Sequence, residues 1–274
     1  MQTPLFLWKH GGIMQICTIA SSSSGNCTLV SSGNTNVLID AGISARRIST
    51  ALKELGLSCS DLAAVFITHE HTDHICGLKT MEKQFGVPVM APLAVARGIA
   101  AAIPEIECYI QTIPVGDELV FGELSIRAFH TPHDTQESVG YKITDGKKTF
   151  ALATDMGHVS EEVLRELIGV DAAVLEANHD PELLKLGPYP FHLKKRILSD
   201  HGHLSNRLCG LLAGRLFEHG AKNIILAHLS KENNTPEMAY KTVAEQMAKS
   251  GAVPGENVGL FVAPSAERGP VIEV

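Results

Sequence analysis

Four side chains that can bind metals lie within one seven-residue stretch, residues 68–74. This stretch follows an apolar, β-branched run at residues 62–67, so it begins where a buried strand is expected to end and a loop to open. Neutral imidazoles and carboxylates are ligands of first-row divalent metals. On an extended loop the first two imidazoles point to the same side, and the other two side chains lie one turn further on. The spacing predicts a two-metal site rather than a solvated polar loop, with the candidate ligands His69, His71, Asp73 and His74.

Three later strands, predicted from apolar runs, also end in metal-type side chains. The first runs into both His130 and His133, and from the residues alone either imidazole could complete a metal site. The second ends at Asp155; a carboxylate there often caps the next helix, but Ser160 already supplies that cap. The third delivers His228, which on its own would be read more simply as a core histidine.

The pattern His69-x-His71-x-Asp73-His74 resembles the signature of metallo-β-lactamase-fold hydrolases, and the resemblance extends over nearly the whole chain. It implies an α/β (α+β) fold, a four-layer αββα sandwich with the metals at one edge. The cofactors that it implies are two divalent metal ions, for which zinc, manganese and iron all suit the donor set. In the implied assignment the first ion takes His69, His71 and His133, the second takes Asp73, His74 and His228, and Asp155 bridges the two.

Two further residues are assigned supporting positions, in which a side chain holds a metal ligand without binding the ion. Asp40 ends the third predicted strand, and the family commonly has a carboxylate there near its metal loop. Because the resemblance favours His133 as the ligand, His130 is left to end its strand as a supporting or packing residue.

A second set of segments resembles one branch of the fold more specifically, the WalJ/YycJ-like exonuclease branch. These bacterial cytoplasmic proteins are similar to nucleases and are associated with 5′-to-3′ degradation of duplex DNA. The resemblance implies a dinuclear phosphodiester hydrolase, a 5′-to-3′ DNA exonuclease whose metal-bridging hydroxide attacks phosphorus. The segments that carry it are Ala177-Asn178-His179-Asp180, Lys194-Lys195-Arg196, Gly202-His203-Leu204-Ser205-Asn206 and His228-Leu229-Ser230-x-x-Asn233-Asn234.

The residues of these segments suit a phosphodiester substrate. Asp73 is expected to orient the nucleophile, and His203 to stabilise the transition-state oxygens or protonate the leaving group. The basic run on the helix that follows can meet flanking phosphates, although a solvated helix face explains it as well. The expected DNA-binding residues are His179, Asn178, Lys194, Lys195, Arg196, Ser205 and Asn206.

Two other functions remain open. One is a small-molecule metallohydrolase of the same fold, such as a thioesterase of the glyoxalase type, a lactamase or a cyclic phosphodiesterase. The other is a metal-stabilised DNA-binding protein without turnover. The basic run and the loop at residues 202–206 have no obvious purpose in the first, and a non-catalytic protein would be free to lose Asp73 or Asp155, both of which are present.

A serine-rich loop at residues 21–26 and a pair of arginines receive simpler interpretations. The loop offers hydroxyls and backbone donors that could cradle a phosphate. A tight turn explains the same composition and is preferred. Arg46 and Arg47 are read as the solvated side of a helix predicted at residues 44–55.

The length suits one folded domain, predicted at residues 14–274. Residues 1–13 are read as a disordered extension or as the result of a start site placed too early, with Met14 the true one. With 45% hydrophobic and 19% charged residues the chain can build a large core, and its net charge of −7 argues against a generally basic nucleic-acid binder. Six cysteines without a CxxC pair suit the reducing cytoplasm. No apolar run is long enough to span a membrane, so no membrane partner is expected.

Overall fold

The computed structural model describes residues 12–274, so the predicted extension at 1–13 lies outside the described residues except for its last two positions. Fourteen strands occur within residues 12–274. In chain order they are β1 (Gln15–Ala20), β2 (Cys27–Ser32), β3 (Thr35–Ile39), β4 (Leu62–Phe66), β5 (Val89–Ala91), β6 (Ile110–Thr112), β7 (Glu118–Phe121), β8 (Leu124–His130), β9 (Val139–Thr144), β10 (Thr149–Ala153), β11 (Ala172–Glu176), β12 (Asn223–Ala227), β13 (Gly259–Val262) and β14 (Ile272–Glu273).

Nine α-helices and three short 3-10 segments connect these strands in the same described range. The helices are α1 (Ala45–Glu54), α2 (Thr72–Ile75), α3 (Leu78–Phe85), α4 (Leu93–Ala102), α5 (Glu161–Leu167), α6 (Pro181–Leu186), α7 (Phe191–Ile197), α8 (Asn206–Glu218) and α9 (Pro236–Met247). The 3-10 segments are Cys59–Asp61, Pro104–Tyr109 and Ala248–Ser250. Throughout the part of the chain that is described, every helix falls short of the length and apolar character that crossing a bilayer requires.

The strands form two seven-stranded sheets, in the orders β14-β1-β2-β3-β4-β5-β6 and β13-β12-β11-β10-β9-β8-β7. Each sheet combines an antiparallel part with a parallel part: β3 to β6 are parallel in the first sheet, and β10 to β13 are parallel in the second. Parallel strands end at the same edge of a sheet, which is where open sheets of this kind bind ligands. Each sheet therefore supplies a row of strand ends.

Three apolar cores separate four layers and confirm the αββα sandwich predicted from the sequence. Alternate residues of a strand point to opposite faces. In β3, Val37 and Ile39 belong to the core between the sheets, and Leu38 belongs to the core under the helices of the first sheet. In β11, Val174 faces the central core and Leu175 faces the helices of the second sheet. Burial on both faces makes these strands continuously apolar.

The element predictions agree with the structure at most positions along the first sheet. Short apolar runs predict strands at residues 15–20, 27–31 and 35–40, and these strands are present to within one residue at each end. A strand is also predicted at residues 108–112, and it is shorter, because Pro104 begins a 3-10 segment that continues to Tyr109 and leaves only Ile110–Thr112 in the sheet.

Candidate metal centre

The candidate ligands converge where the strand ends of the two sheets meet. Asp40, Asp155 and His228 directly follow β3, β10 and β12. They are the only non-glycine residues with positive φ within the described chain, at 62°, 55° and 55°. Left-handed backbone is unfavourable for side chains of this kind and tends to persist where the surrounding structure fixes it at functional sites. The strain therefore marks this edge as a functional site.

His69, His71 and His133 form the first cluster, with one ligand nitrogen of each lying within 4.8 Å of the others. Nε2 of His69 is 3.0 Å from Nδ1 of His71. The His133 ring centroid lies 5.1 Å from that of His69 and 5.2 Å from that of His71. His69 and His133 are buried, whereas His71 is partly exposed. Three imidazole nitrogens are thus directed at one small volume.

Asp73, His74 and His228 form the second cluster, again with ligand atoms within 4.8 Å of one another. Oδ2 of Asp73 lies 3.5 Å from Nε2 of His74 and 3.4 Å from Nε2 of His228. The two histidines are buried and Asp73 is partly exposed. This cluster joins the loop of the first sheet to the end of β12 in the second.

Asp155 lies between the two clusters. Its Oδ2 is 3.3 Å from Nε2 of His74, and its Oδ1 is 3.7 Å from Nε2 of His133. Oδ2 of Asp155 and Nε2 of His133 are buried and make no hydrogen bond within the described chain. Unsatisfied buried polar atoms are costly and need an explanation. Divalent cations would satisfy both atoms, so the residues present fit a metal centre.

The electrostatics of the clusters favour positive charge. Burial lowers the pKa of His69, which keeps its ring neutral and able to bind a metal. Burial also disfavours the charged form of His228, but Asp155 and hydrogen bonds to neighbouring carboxylates outweigh burial and raise its pKa to about 10. The same carboxylates that attract a proton would attract a metal cation, since either replaces the missing positive charge.

Asp40 lies where a residue that supports a ligand should lie. Its Oδ2 is 2.8 Å from Nδ1 of His74, and its Oδ1 accepts a hydrogen bond of 2.9 Å from the Thr68 N–H. With Nδ1 held in this way, Nε2 of His74 is directed into the second cluster. A carboxylate on the far side of an imidazole fixes its tautomer and orientation.

Glu176 is a functional candidate that the sequence reasoning missed. It is fully buried at the end of β11, and its Oε1 lies 2.7 Å from Nδ1 of His203 and 2.9 Å from Nδ1 of His228. Its Oε2 accepts hydrogen bonds from the backbone N–H groups of Met156 and Leu204. Burial raises the pKa of Glu176, but His203 more than offsets it and lowers the pKa to about 2. The sequence signal that could have identified Glu176 is an acidic residue at the end of an apolar run that predicts a buried strand.

His203 faces both clusters. Its ring centroid lies 5.2 Å from that of His133 and 5.3 Å from that of His228. Because Glu176 holds Nδ1, the other ring nitrogen is the one left for a substrate. Burial opposes the charged ring, but the Glu176 carboxylate outweighs burial and raises the pKa of His203.

Three residues predicted to bind DNA are engaged in the structure with the loops and a helix end of the second sheet. The Asn178 side chain donates to the His228 carbonyl at 2.9 Å. Asn206 is fully buried and exchanges side-chain hydrogen bonds with Asn234. Ser205 is buried and caps α8 through its hydroxyl. Their polar groups are used to satisfy neighbouring loops and a helix end.

His179 is buried beside these loops. Its carbonyl accepts a hydrogen bond of 2.9 Å from the Asn206 N–H, and its Nδ1 is without a hydrogen-bond partner within residues 12–274. Burial lowers the pKa of His179 to about 4, so the ring is neutral near pH 7.

The three basic residues of α7 have different surroundings. Arg196 pairs with Asp134, whose Oδ1 lies 3.3 Å from Nε2 of His133, so this arginine is linked to the first cluster. Lys194 donates to the Lys185 carbonyl at 2.6 Å. Lys195 is exposed and forms no ion pair with the described residues. The helix presents positive charge beside the centre.

His130, predicted to be a supporting or packing residue, contacts two carboxylates in the structure and no candidate ligand. The strand β8 ends with this residue on its exposed side, and the side chain is 53% exposed. Its ring nitrogens lie 3.4 Å from Glu137 and 3.3 Å from Glu162, and neither carboxylate touches a candidate ligand. His133, three residues later, instead turns under the Gly202 carbonyl, 3.2 Å from its Nδ1.

Comparisons with known proteins agree with this architecture. The family described as "Beta-lactamase superfamily domain" matches residues 35–229. The exodeoxyribonuclease YycJ of Bacillus anthracis is 34% identical over 244 residues, which are 89% of this chain and 92% of that protein. The exodeoxyribonuclease WalJ of Streptococcus pneumoniae is 35% identical over 235 residues, 85% of this chain and 87% of that protein. The crystal structure of the metallo-β-lactamase-fold protein YhfI of Bacillus subtilis superimposes with a TM-score of 0.71 at 19% identity, covering 96% of this chain and 100% of that one.

Proposed function

Because the chain belongs to the β-lactamase superfamily and, within it, to the family of the YycJ and WalJ exodeoxyribonucleases, we propose that it is a dinuclear metal-dependent phosphodiester hydrolase that degrades DNA from the 5′ end. The observation that carries this proposal is the position of Asp155 between two three-residue clusters, since a carboxylate that reaches both clusters can hold two ions side by side.

The proposed ligands follow from the two clusters. One ion would be held by His69, His71 and His133 and a second by Asp73, His74 and His228, with Asp155 within reach of both clusters. Three or four protein ligands leave each ion an open position, which distinguishes a catalytic from a structural site. Zinc, manganese and iron all suit imidazole with carboxylate. When bound, two such ions would lower the pKa of a water to about 7 and neutralise charge that develops on phosphorus.

The residues of the chain then have separate tasks. Asp73 is the only acidic member of the second cluster and is partly exposed at its mouth, so it accepts a hydrogen bond from the attacking water and orients it. His203, held by Glu176 through Nδ1 at 2.7 Å, donates a proton from its other nitrogen to the leaving oxygen. Its raised pKa keeps that proton available near neutral pH. Arg196, linked to the first cluster through Asp134, meets a flanking phosphate, and Lys195 on the same helix meets phosphates further along the strand.

A time course on duplex oligonucleotides tests the proposal. Purified protein is freed of metal by chelation, given manganese or zinc, and mixed with a duplex labelled at the 5′ or the 3′ end. We expect metal-dependent release of the 5′ label as mononucleotide and progressive shortening of the 3′-labelled strand. The Asp73→Ala variant should give no reaction.

Two outcomes would replace this function. Turnover of a thioester or a small phosphodiester, with no cleavage of DNA under any metal, would make the protein a small-molecule hydrolase. Tight binding of the duplex by metal-loaded protein, with no product from any substrate, would make it a DNA-binding protein.

A further inference from the structure

A small polar pocket lies next to the candidate metal centre and has no role in the function proposed above. We call it the serine-loop pocket. Its cavity volume is about 230 Å³, and it is lined by Ser22, Ser24, Gly25, Arg47, Lys231, Ser265 and Ala266. At about 30 Å³ for each water molecule, this volume holds a phosphate group with part of its hydration shell and is too small for a nucleoside in addition.

The charge of the serine-loop pocket is positive, although the chain as a whole carries −7. Arg47 and Lys231 line it together, and no carboxylate does. Arg47 uses one nitrogen, Nη2, to donate to the Ser265 and Ala266 carbonyls at 3.3 and 3.0 Å, which leaves its charge unneutralised. Lys231 forms no ion pair with any residue from 12 to 274. Two cations and the hydroxyls of the loop make an anion site.

Both walls of the serine-loop pocket continue directly into the metal centre. On one side the Asn26 N–H donates to the Asp73 carbonyl at 2.8 Å, and Asn26 Nδ2 lies 3.1 Å from Nε2 of His74. On the other side the His228 N–H donates to the Ser21 hydroxyl at 2.7 Å. An anion in the pocket is therefore held at a fixed position relative to the candidate ligands.

Chain length limits how far the serine-loop pocket can lie from the centre. Ser24 is two residues from Asn26, which bounds their separation at about 7 Å, and Lys231 is three residues from His228, which bounds theirs at about 11 Å. These upper limits admit a step of one nucleotide along a strand. The pocket is close enough to bind the phosphate next to the one that reacts.

We propose that the serine-loop pocket binds the 5′-terminal phosphate of the DNA and thereby seats the first phosphodiester at the metal centre. This inference rests on the proposed function and adds its end specificity. A terminal phosphate monoester carries about −1.5 to −2 charge and three acceptor oxygens, whereas an internal diester carries a single charge. The pair of Arg47 and Lys231 matches the monoester. A fixed site for the terminus also sets the product length at one nucleotide.

Equilibrium binding tests this proposal without requiring turnover. Duplexes of one sequence carry a fluorophore at the 3′ end and either a phosphate or a hydroxyl at the 5′ end, and fluorescence anisotropy gives Kd for the chelated protein. The wild-type chain should bind the phosphorylated duplex at least about tenfold more tightly, the effect of one charge-assisted hydrogen bond. Lys231→Ala should bring this ratio close to one, and Lys231→Arg should retain it.

The matched control is Lys147→Ala. Lys147 is exposed in the turn before β10, at the opposite end of that strand from Asp155, so its removal should leave the ratio unchanged. Equal wild-type affinity for the two duplexes would overturn the proposal. The proposal would also be overturned if Lys231→Ala weakened binding of both duplexes by the same factor, because the pocket would then bind an internal phosphate. A preserved binding ratio in a protein that cleaves no DNA would reject the nuclease function and keep the phosphate pocket.

Discussion

The first sheet contributes to the candidate metal centre mainly through one short loop, whereas the second contributes through five separate segments. The candidate ligands of the first sheet all lie within residues 69–74, and Asp40 supports one of them from the end of β3. Those of the second sheet, with the residues that hold them, are His133, Asp155, Glu176, His203 and His228. The local half can be recognised from spacing alone. The dispersed half exists only because parallel strands end at one edge.

The two halves nevertheless hold their histidines in the same way. In each, a buried carboxylate binds the side of an imidazole that faces away from the metal position. Asp40 holds His74 in the first half, and Glu176 holds both His203 and His228 in the second. Since one carboxylate serves two rings, the dispersed half depends more heavily on a single residue.

The largest expected effect comes from the residue that joins the halves. Asp155→Ala removes the one carboxylate that contacts both clusters, so we expect kcat/KM on a 5′-phosphorylated duplex to fall about 10³-fold, on the order of 4 kcal/mol of transition-state stabilisation. Metal content, measured by mass spectrometry, should fall at the same time. Asp117→Ala, at an exposed position that belongs to neither cluster, is the control. Wild-type turnover by the Asp155 variant would mean that the halves act independently.

Tight backbone packing in the local half gives the next largest effect. A Cβ at Gly42 would lie 1.6 Å from the Asp73 carbonyl oxygen and 2.8 Å from the Asn26 nitrogen, which are backbone atoms. Gly42→Ala should therefore lower the free energy of unfolding by about 3 kcal/mol. Chemical denaturation of the chelated protein measures this change without a contribution from bound metal.

Gly214→Ala is the matched control for that comparison. Gly214 lies within α8, and its nearest obstacle is the flexible Ser250 hydroxyl at 3.0 Å. Because alanine favours helix, this change should cost little or stabilise by up to about 1 kcal/mol. If both glycine variants unfold at the same denaturant concentration, the close approach at Gly42 does not constrain the loop.

A pair of isosteric changes compares the two supporting carboxylates. Glu176→Gln and Asp40→Asn keep the side-chain volume and remove the charge, and such changes cost about 10- to 100-fold in metal affinity or activity. Each carboxylate holds one candidate ligand, His74 or His228, so we expect similar losses of zinc affinity, measured by competition with a chromophoric chelator. We expect the larger loss of kcat/KM for Glu176→Gln, because it also releases His203. An equal loss of kcat/KM in the two variants would show that the hold on His203 does not matter.

The same contrast explains which parts of the site were predictable. The loop at residues 69–74 can be recognised from the sequence because its four candidate ligands are close neighbours in the chain. Glu176 has no such neighbours, and its importance follows from the strand ends that surround it. Asn178 and Asn206 illustrate the converse: an amide suits a DNA contact and a loop hydrogen bond equally, and in the structure both residues are buried and hydrogen-bonded within the loops. The four layers were implied by the resemblance to the metallo-β-lactamase fold, and the continuous apolar runs agree with burial on both faces.

The smallest expected effect concerns the choice between His130 and His133, which spacing alone left open. His130 is exposed and contacts only Glu137 and Glu162, and exposed ion pairs of this kind contribute about 0–1 kcal/mol. His130→Ala should therefore change the free energy of unfolding by no more than about 0.5 kcal/mol and leave kcat/KM within about twofold, because its ring touches no candidate ligand. His133→Ala should lose activity and one equivalent of metal. If the two variants lost activity to the same extent, both histidines at the end of β8 would have to contribute to the centre. The dispersed half would then include the exposed His130, whose contacts do not indicate such a role.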